Sequence, residues 1–156
     1  MRKIKHLERR TKMIIRRLIE NDLESLAKLY KYFWNVESDL EKMKVKLKEL
    51  NDNPKYIVLA ALIEETMVGS VMGIICEDLY GECKPYMVME NLIVNENFRS
   101  KGIGRALLIE LENVAKDSDC TQMLFITEAN RKNAISFYGS LGYNTTTHVG
   151  FKKSLK

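Results

Sequence analysis

The sequence predicts an α/β (α+β) fold in which about four helices flank one central mixed, mostly antiparallel sheet of about seven strands. Three observations carry this expectation. Two stretches with apolar residues spaced by three and four come first. Three short, β-rich runs follow from Tyr56, and strands then alternate with helices after Asn95.

Taken in order, Met13 to Ile19 reads as a first strand. Asn21-Asp22-Leu23-Glu24 then offers an N-cap with a glutamate three residues on, and a helix carries Leu23, Leu26, Ala27, Tyr30 and Phe33-Trp34 on one face. Ser38-Asp39-Leu40-Glu41 repeats that box ahead of a second stripe, Leu40, Met43, Leu47 and Leu50. Tyr56 to Ile63, Met67 to Cys76 and Tyr86 to Val94, separated by Glu64-Glu65-Thr66 and by Glu77 to Pro85, form a three-strand antiparallel meander. A loop from Asn95 to Lys101 leads into a helix bearing Ala106, Leu107, Leu108, Leu111, Val114 and Ala115. Gln122 to Thr127 is the next strand, Arg131 to Leu141 the last helix, and Tyr143 to Leu155 two short terminal strands. With no repeat or Pro/Gly-rich linker, residues 13–156 are expected to be one domain, behind a flexible basic leader of residues 1–12.

Bulk properties narrow the class. With 156 residues, 46% apolar and 29% charged, the chain has enough apolar material for a core, which argues against disorder. The apolar runs are broken at Glu64-Glu65-Thr66, short of the ~20 residues of a membrane span, and no apolar segment backs the basic start as in a secretory signal. A cytoplasmic protein without membrane attachment is expected. Cys76, Cys83 and Cys120 form no Cys-x-x-Cys pair and have no His-rich partner, so neither a disulfide framework nor a metal site is expected. Residues 1–17 hold eight Lys/Arg and one acid; the remainder holds 17 and 20. That leader could meet nucleic acid through its field, but it has no aromatic side chain for stacking on bases, and a solvated tail with no nucleic-acid partner is expected.

The chemistry concentrates in Glu90-Asn91-Leu92-Ile93-Val94 and in Arg99-Ser100-Lys101-Gly102-Ile103-Gly104-Arg105, a strand, a loop and a helix opening. Two glycines there let a ligand approach the backbone. The unpaired N–H groups and the helix dipole attract an anion, and Arg99, Lys101 and Arg105 add positive charge. A P-loop is excluded because Lys101 precedes Gly102 and no Lys-Ser/Thr follows Gly104. The dinucleotide fingerprint breaks at Leu107, where its third glycine belongs.

Arg99-x-x-Gly102-x-Gly104, with Val94 five residues upstream, resembles the signature of the GNAT superfamily of acetyl-coenzyme A dependent N-acetyltransferases. Phe137-Tyr138-Gly139-Ser140-Leu141-Gly142-Tyr143 is similar to that family's second motif. The resemblance implies the GNAT fold over residues 13–156 and acetyl-CoA as cosubstrate. Its pyrophosphate would lie on N–H groups from Lys101 to Arg105 and its pantetheine arm on the main chain of Leu92, Ile93 and Val94. The thioester carbonyl would be polarised near Leu92. It also implies Tyr138 as the acid that protonates the leaving thiolate, and Glu90 as a candidate base. On a regular strand Glu90, Leu92 and Val94 share one face, which would aim the carboxylate into the same layer. Arg131 stands where many members have asparagine; it could reach a cofactor phosphate.

The implied reaction is direct transfer to a primary amine, without a cysteine relay. In this family the acceptor is shaped by the link between the first two helices, here Phe33 to Asp39, and by a late loop, here Thr145-Thr146-Thr147-His148. Glu37, Asp39, Glu77, Asp78 and Glu82 could attract a small cationic molecule such as a polyamine, aminoglycoside or aminosugar. Alternatives are a protein or peptide amine as acceptor, and a coenzyme A binding module without turnover. The resemblance also allows for a homodimer.

Overall fold

The computed structural model describes residues 12–155; the basic leader, apart from Lys12, lies outside them. The chain forms β1 (Met13–Arg17), α1 (Leu23–Trp34), α2 (Leu40–Asn51), β2 (Tyr56–Ile63), β3 (Thr66–Cys76), β4 (Tyr86–Val94), α3 (Ile103–Asp117), β5 (Met123–Leu124) and α4 (Lys132–Ser140). Four α-helices match the expectation, and five strands replace about seven. The meander is as expected: β2 and β4 have the predicted limits, and β1–β2, β2–β3 and β3–β4 pair antiparallel. Strand order is β1-β2-β3-β4-β5. Thr121 N–H donates to Pro85 O and Met87 N–H to Gln122 O, so the two segments advance together and β5 runs parallel to β4.

Residue contacts divide the chain into two compact units, one ending at Met123 and the other starting at Leu124. In the first, the sheet separates two apolar layers. On one face Val58, Ala60, Leu62, Met72 and Ile93 pack with Leu23, Leu26 and Leu29 of α1 and Leu47 of α2. On the other, Gly69 lets α3 settle onto the strand: a Cβ there would stand 2.9 Å from the Ile93 carbonyl and 3.3 Å from a methyl of Ile103, the first residue of α3. No helix among the described residues is long and apolar enough to cross a membrane.

Several local expectations need correction. The first strand stops at Arg17, and Asp22 makes no side-chain cap to α1. Its carboxylate instead receives Arg16 Nη1 at 2.6 Å, Arg16 Nη2 at 3.0 Å and the Ile19 N–H at 2.9 Å. At the second box Asp39, rather than Ser38, is the N-cap, accepting the Lys42 N–H at 3.1 Å. The strand read as Gln122 to Thr127 shrinks to two residues. Among the described residues no strand follows α4. Val149, Phe151 and Leu155, in the segment read as two short terminal strands, are 78%, 91% and 90% exposed, so no packing supports a ladder there.

Candidate active site

Strand β4 begins by sending Met87 and Met89 into the core. Met87 lies towards α3, since its sulfur would be 2.9 Å from a Cβ at Gly73, beside Leu111. Regular alternation would keep every later odd-numbered residue on that side. The register does not stay regular: Met72 faces Glu90 but Ser70 faces Ile93, so Asn91 and Leu92 together oppose Val71. Asn91 has φ +55°, a left-handed conformation that asparagine tolerates, and the result is a β-bulge. The Asn91 side chain also hydrogen-bonds the Tyr30 hydroxyl of α1; burial pushes that phenol above its ordinary pKa, and the Asn91 bond partly offsets this.

The bulge inverts the expected facing. Glu90 pairs with Met72 and shares the α1/α2 side with Ile93, whereas Val94 pairs with Gly69 on the α3 side. Glu90 and Val94 therefore do not share a face. Glu90 is exposed and, among the described residues, forms no ion pair. Leu92 is half-buried, with its main chain outside the β3 register. The Asn95 N–H bonds Val68 O at 2.8 Å, so by antiparallel alternation the Val94 peptide groups point to the other edge of β4. There the Val94 carbonyl accepts Arg99 Nε at 3.4 Å.

Past β4 a 3-10 turn, Glu96–Phe98, carries the chain to the loop. Ser100 has φ +61° and Gly102 φ +80°, and Gly102 is the N-cap of α3. Glycine takes that conformation without penalty, and a Cβ at this position would meet nothing within 4 Å. The cap supplies no side-chain acceptor and the first turn of α3 holds no acid. The opening N–H groups of Ile103, Gly104 and Arg105 have no partner within the helix, so they and the positive end of the dipole are available to an anion. Ile103 is buried beneath the sheet side of this turn, while Ser100, Lys101 and Arg105 are exposed.

The cations are more constrained than their sequence suggested. The Arg99 guanidinium lies 5.0 Å from the centroid of the Phe33 ring in α1, and Lys101 Nζ 4.9 Å from that of Phe98. Tyr32 donates its hydroxyl to Glu96. These contacts from α1 join segments remote in sequence, and no motif announced them. The bulge did leave a trace: Glu90-Asn91 is a polar pair inside an otherwise apolar strand.

The acids considered for the acceptor are each engaged locally. Glu37 pairs with Lys31, Asp39 with Lys42, Glu77 with Lys55 and Glu82 with Lys84, while Asp78 accepts the Leu79 and Tyr80 N–H groups. Cys76, Cys83 and Cys120 are free thiols, and burial pushes the Cys120 thiol up.

In the second unit, Tyr138 lies on α4 with its ring 4.5 Å from Phe125, 5.3 Å from Phe137 and 6.0 Å from Tyr143. Burial pushes its phenol above the usual pKa, and the Arg131 cation partly offsets this, so the hydroxyl is protonated at neutral pH. Arg131 is the exposed N-cap residue of α4, with its N–H on Glu128 O at 3.0 Å.

A bulged strand thus runs into a left-handed glycine and a helix that opens without a side-chain cap, within a mixed α/β architecture. The chain belongs to the acetyltransferase (GNAT) family, whose sequence model matches residues 21–143. It is 35% identical over 75 residues to the uncharacterized protein YdhI of Bacillus subtilis (strain 168), a match over 48% of this chain and 44% of that one. The chain thus spans less than half the length of this curated relative. Its fold is similar to glucosamine-6-phosphate N-acetyltransferase from Arabidopsis thaliana, with TM-score 0.84, 16% identity and coverage of 93% of this chain and 99% of that one. It is also similar to aminoglycoside N-acetyltransferase AAC(6')-Iy solved in complex with CoA, with TM-score 0.79, 20% identity and coverage of 96% and 99%. At such identities the likeness is one of fold.

Proposed function

We propose that this protein transfers an acetyl group from acetyl-CoA directly to a primary amine of a small cationic molecule of polyamine, aminoglycoside or aminosugar type. The observation that supports this most is the turn at Gly102, where a left-handed glycine opens α3 without a capping side chain at the end of a bulged strand. Family membership and the CoA bound to a protein of the same fold support the same ligand. For the acceptor, support comes from the aminoglycoside and aminosugar-phosphate acetyltransferases of that fold. In this reading the setting is the cytoplasm and the assembly a homodimer.

When bound, acetyl-CoA supplies an acyl group activated as a thioester. In this reading the pyrophosphate is held by N–H groups of residues 101–105 together with Arg99 and Ser100, the pantetheine by the main chain of Leu92, Ile93 and Val94, and Arg131 is assigned to a cofactor phosphate. Glu90 takes the proton of the amine directly or through water, the main chain at Leu92 stabilises charge on the carbonyl oxygen, and Tyr138 gives its proton to the departing thiolate.

A thiol-release assay with acetyl-CoA against polyamines, aminoglycosides, aminosugars, amino acids and peptide N-termini tests the reading. Cofactor binding without thiol release from any amine would leave a coenzyme A binding module instead. Tyr138→Phe is expected to lower kcat on the order of 100-fold, the lower range for loss of a positioned acid. Wild-type turnover in that variant removes the acid role. Glu90→Gln is expected to cost about tenfold, less than a buried base because water reaches this exposed side chain. The deficit should shrink as pH rises and the free amine becomes abundant, and equal activity at high and low pH would remove Glu90 from the mechanism.

A further inference from the structure

We propose that Phe33 and Tyr32, in the last turn of α1, are positioning residues for the cofactor loop: Phe33 holds the Arg99 guanidinium at the mouth of the loop, and Tyr32 engages the Glu96 carboxylate three residues upstream. The inference rests on the assignment of that loop to acetyl-CoA.

Arg99 stands between the end of β4 and the glycine turn. Its Nε donates to the Val94 carbonyl at 3.4 Å and its guanidinium lies 5.0 Å from the Phe33 ring centroid. An arginine carries five N–H donors in one rigid plane, so spending Nε on Val94 leaves the two Nη groups for an anion. Without the ring, the guanidinium would be tethered at one atom and free to turn. With it, two contacts fix the plane, and the four remaining N–H groups are presented at low entropic cost. The ring is itself fixed, being half-buried against the core beneath α1.

Glu96 lies three residues before Arg99, at the start of the 3-10 turn. A free carboxylate there would compete with phosphate for the guanidinium and raise the negative potential at the loop. The Tyr32 hydroxyl binds that carboxylate. The contact is not needed for core packing, because Tyr32 is 56% exposed. Two neighbouring aromatic residues thus act on opposite charges of the same short segment, and both actions favour an anionic ligand.

The test is calorimetric titration of acetyl-CoA into the full chain, with thermal melting of each variant. Phe33→Leu keeps an apolar side chain and removes the π face; it is expected to weaken binding about three- to fivefold, as loss of an exposed cation–π contact does. Phe33→Trp should restore wild-type affinity. Because Phe33 acts through Arg99, adding Phe33→Leu to Arg99→Gln, which carries no cation, should cost nothing further. Tyr32→Phe is expected to weaken binding about threefold, with the difference narrowing in high salt. Wild-type affinity in Phe33→Leu, or multiplying effects of Phe33→Leu and Arg99→Gln, overturns the role of Phe33. If Phe33→Leu does not fold, Tyr32→Phe decides: unchanged affinity overturns the proposal and a salt-sensitive loss supports it. A wild-type chain that does not bind acetyl-CoA refutes the loop assignment instead, which keeps the two failures apart.

Discussion

Gly104→Glu is expected to raise the Kd for acetyl-CoA about a thousandfold while leaving the fold at least as stable. Gly104 is the second residue of α3. Replacing a helical glycine gains up to about 1 kcal/mol of propensity, and an acid in a first turn that has none gains about 0.3–1 kcal/mol from the dipole. The same carboxylate would occupy the anion site. At ~4 Å from a phosphate charge, with an effective dielectric of about 20, repulsion is about 4 kcal/mol, or a thousandfold in affinity. Stability and binding should therefore move in opposite directions, which a misfolded variant cannot imitate. Calorimetric titration beside a thermal melt reads both, and an unchanged Kd would refute the anion-site assignment.

Asp22→Ala should lower the unfolding free energy by about 3 kcal/mol, more than a hundredfold in the folded-to-unfolded ratio. Asp22 is 6% exposed and accepts three hydrogen bonds, two from Arg16 and one from the Ile19 N–H. Removing it strands the Arg16 cation and the Ile19 N–H without their partner. Loss of one partner of a buried pair costs about 3–5 kcal/mol, and the low end applies because the Arg16 side chain is 34% exposed. Burial alone would raise the Asp22 pKa, but the Arg16 bond, the Ile19 N–H and the Arg16 charge outweigh it and hold the carboxyl below its ordinary 3.8. The unfolded chain then binds the proton more readily. The contribution is complete above the unfolded value and is lost as pH falls through the lower folded one. Denaturant titrations should show the deficit of Asp22→Ala at pH 7 and its narrowing below about pH 4. A deficit independent of pH would show that packing, not the ion pair, is responsible.

The fold was legible where local chemistry and burial agree. Tyr56–Ile63 and Tyr86–Val94 have the limits expected from the sequence, because predominantly apolar runs bounded by turn residues have few alternatives. The box Asn21-Asp22-Leu23-Glu24 misled because a cap signature does not reveal that Arg16 and the Ile19 N–H will claim the Asp22 carboxylate. Tyr143 to Leu155 misled because apolar residues make a strand only where something covers them, and Val149 and Phe151 stand in solvent. The glycine loop was legible because its conformation is written in residue type. The bulge was not: Asn91 is compatible with a regular strand, and its left-handed φ follows from the two strands' pairing. The aromatic contacts to Arg99 and Glu96 depend on where α1 ends in space, which periodicity does not encode.

The single inserted residue at Asn91 acts as a frameshift in three dimensions. Upstream of it odd positions look towards α3, and downstream even ones do, so β4 consists of two half-strands in opposite phase. Deleting Asn91 would restore uniform alternation with Leu92 opposite Val71, leaving Ile93 opposite Ser70 and Val94 opposite Gly69. The bulge is therefore the one place in β4 where chain length can change without consequence for the layers, whereas an insertion or deletion within either half turns the residues beyond it inside out.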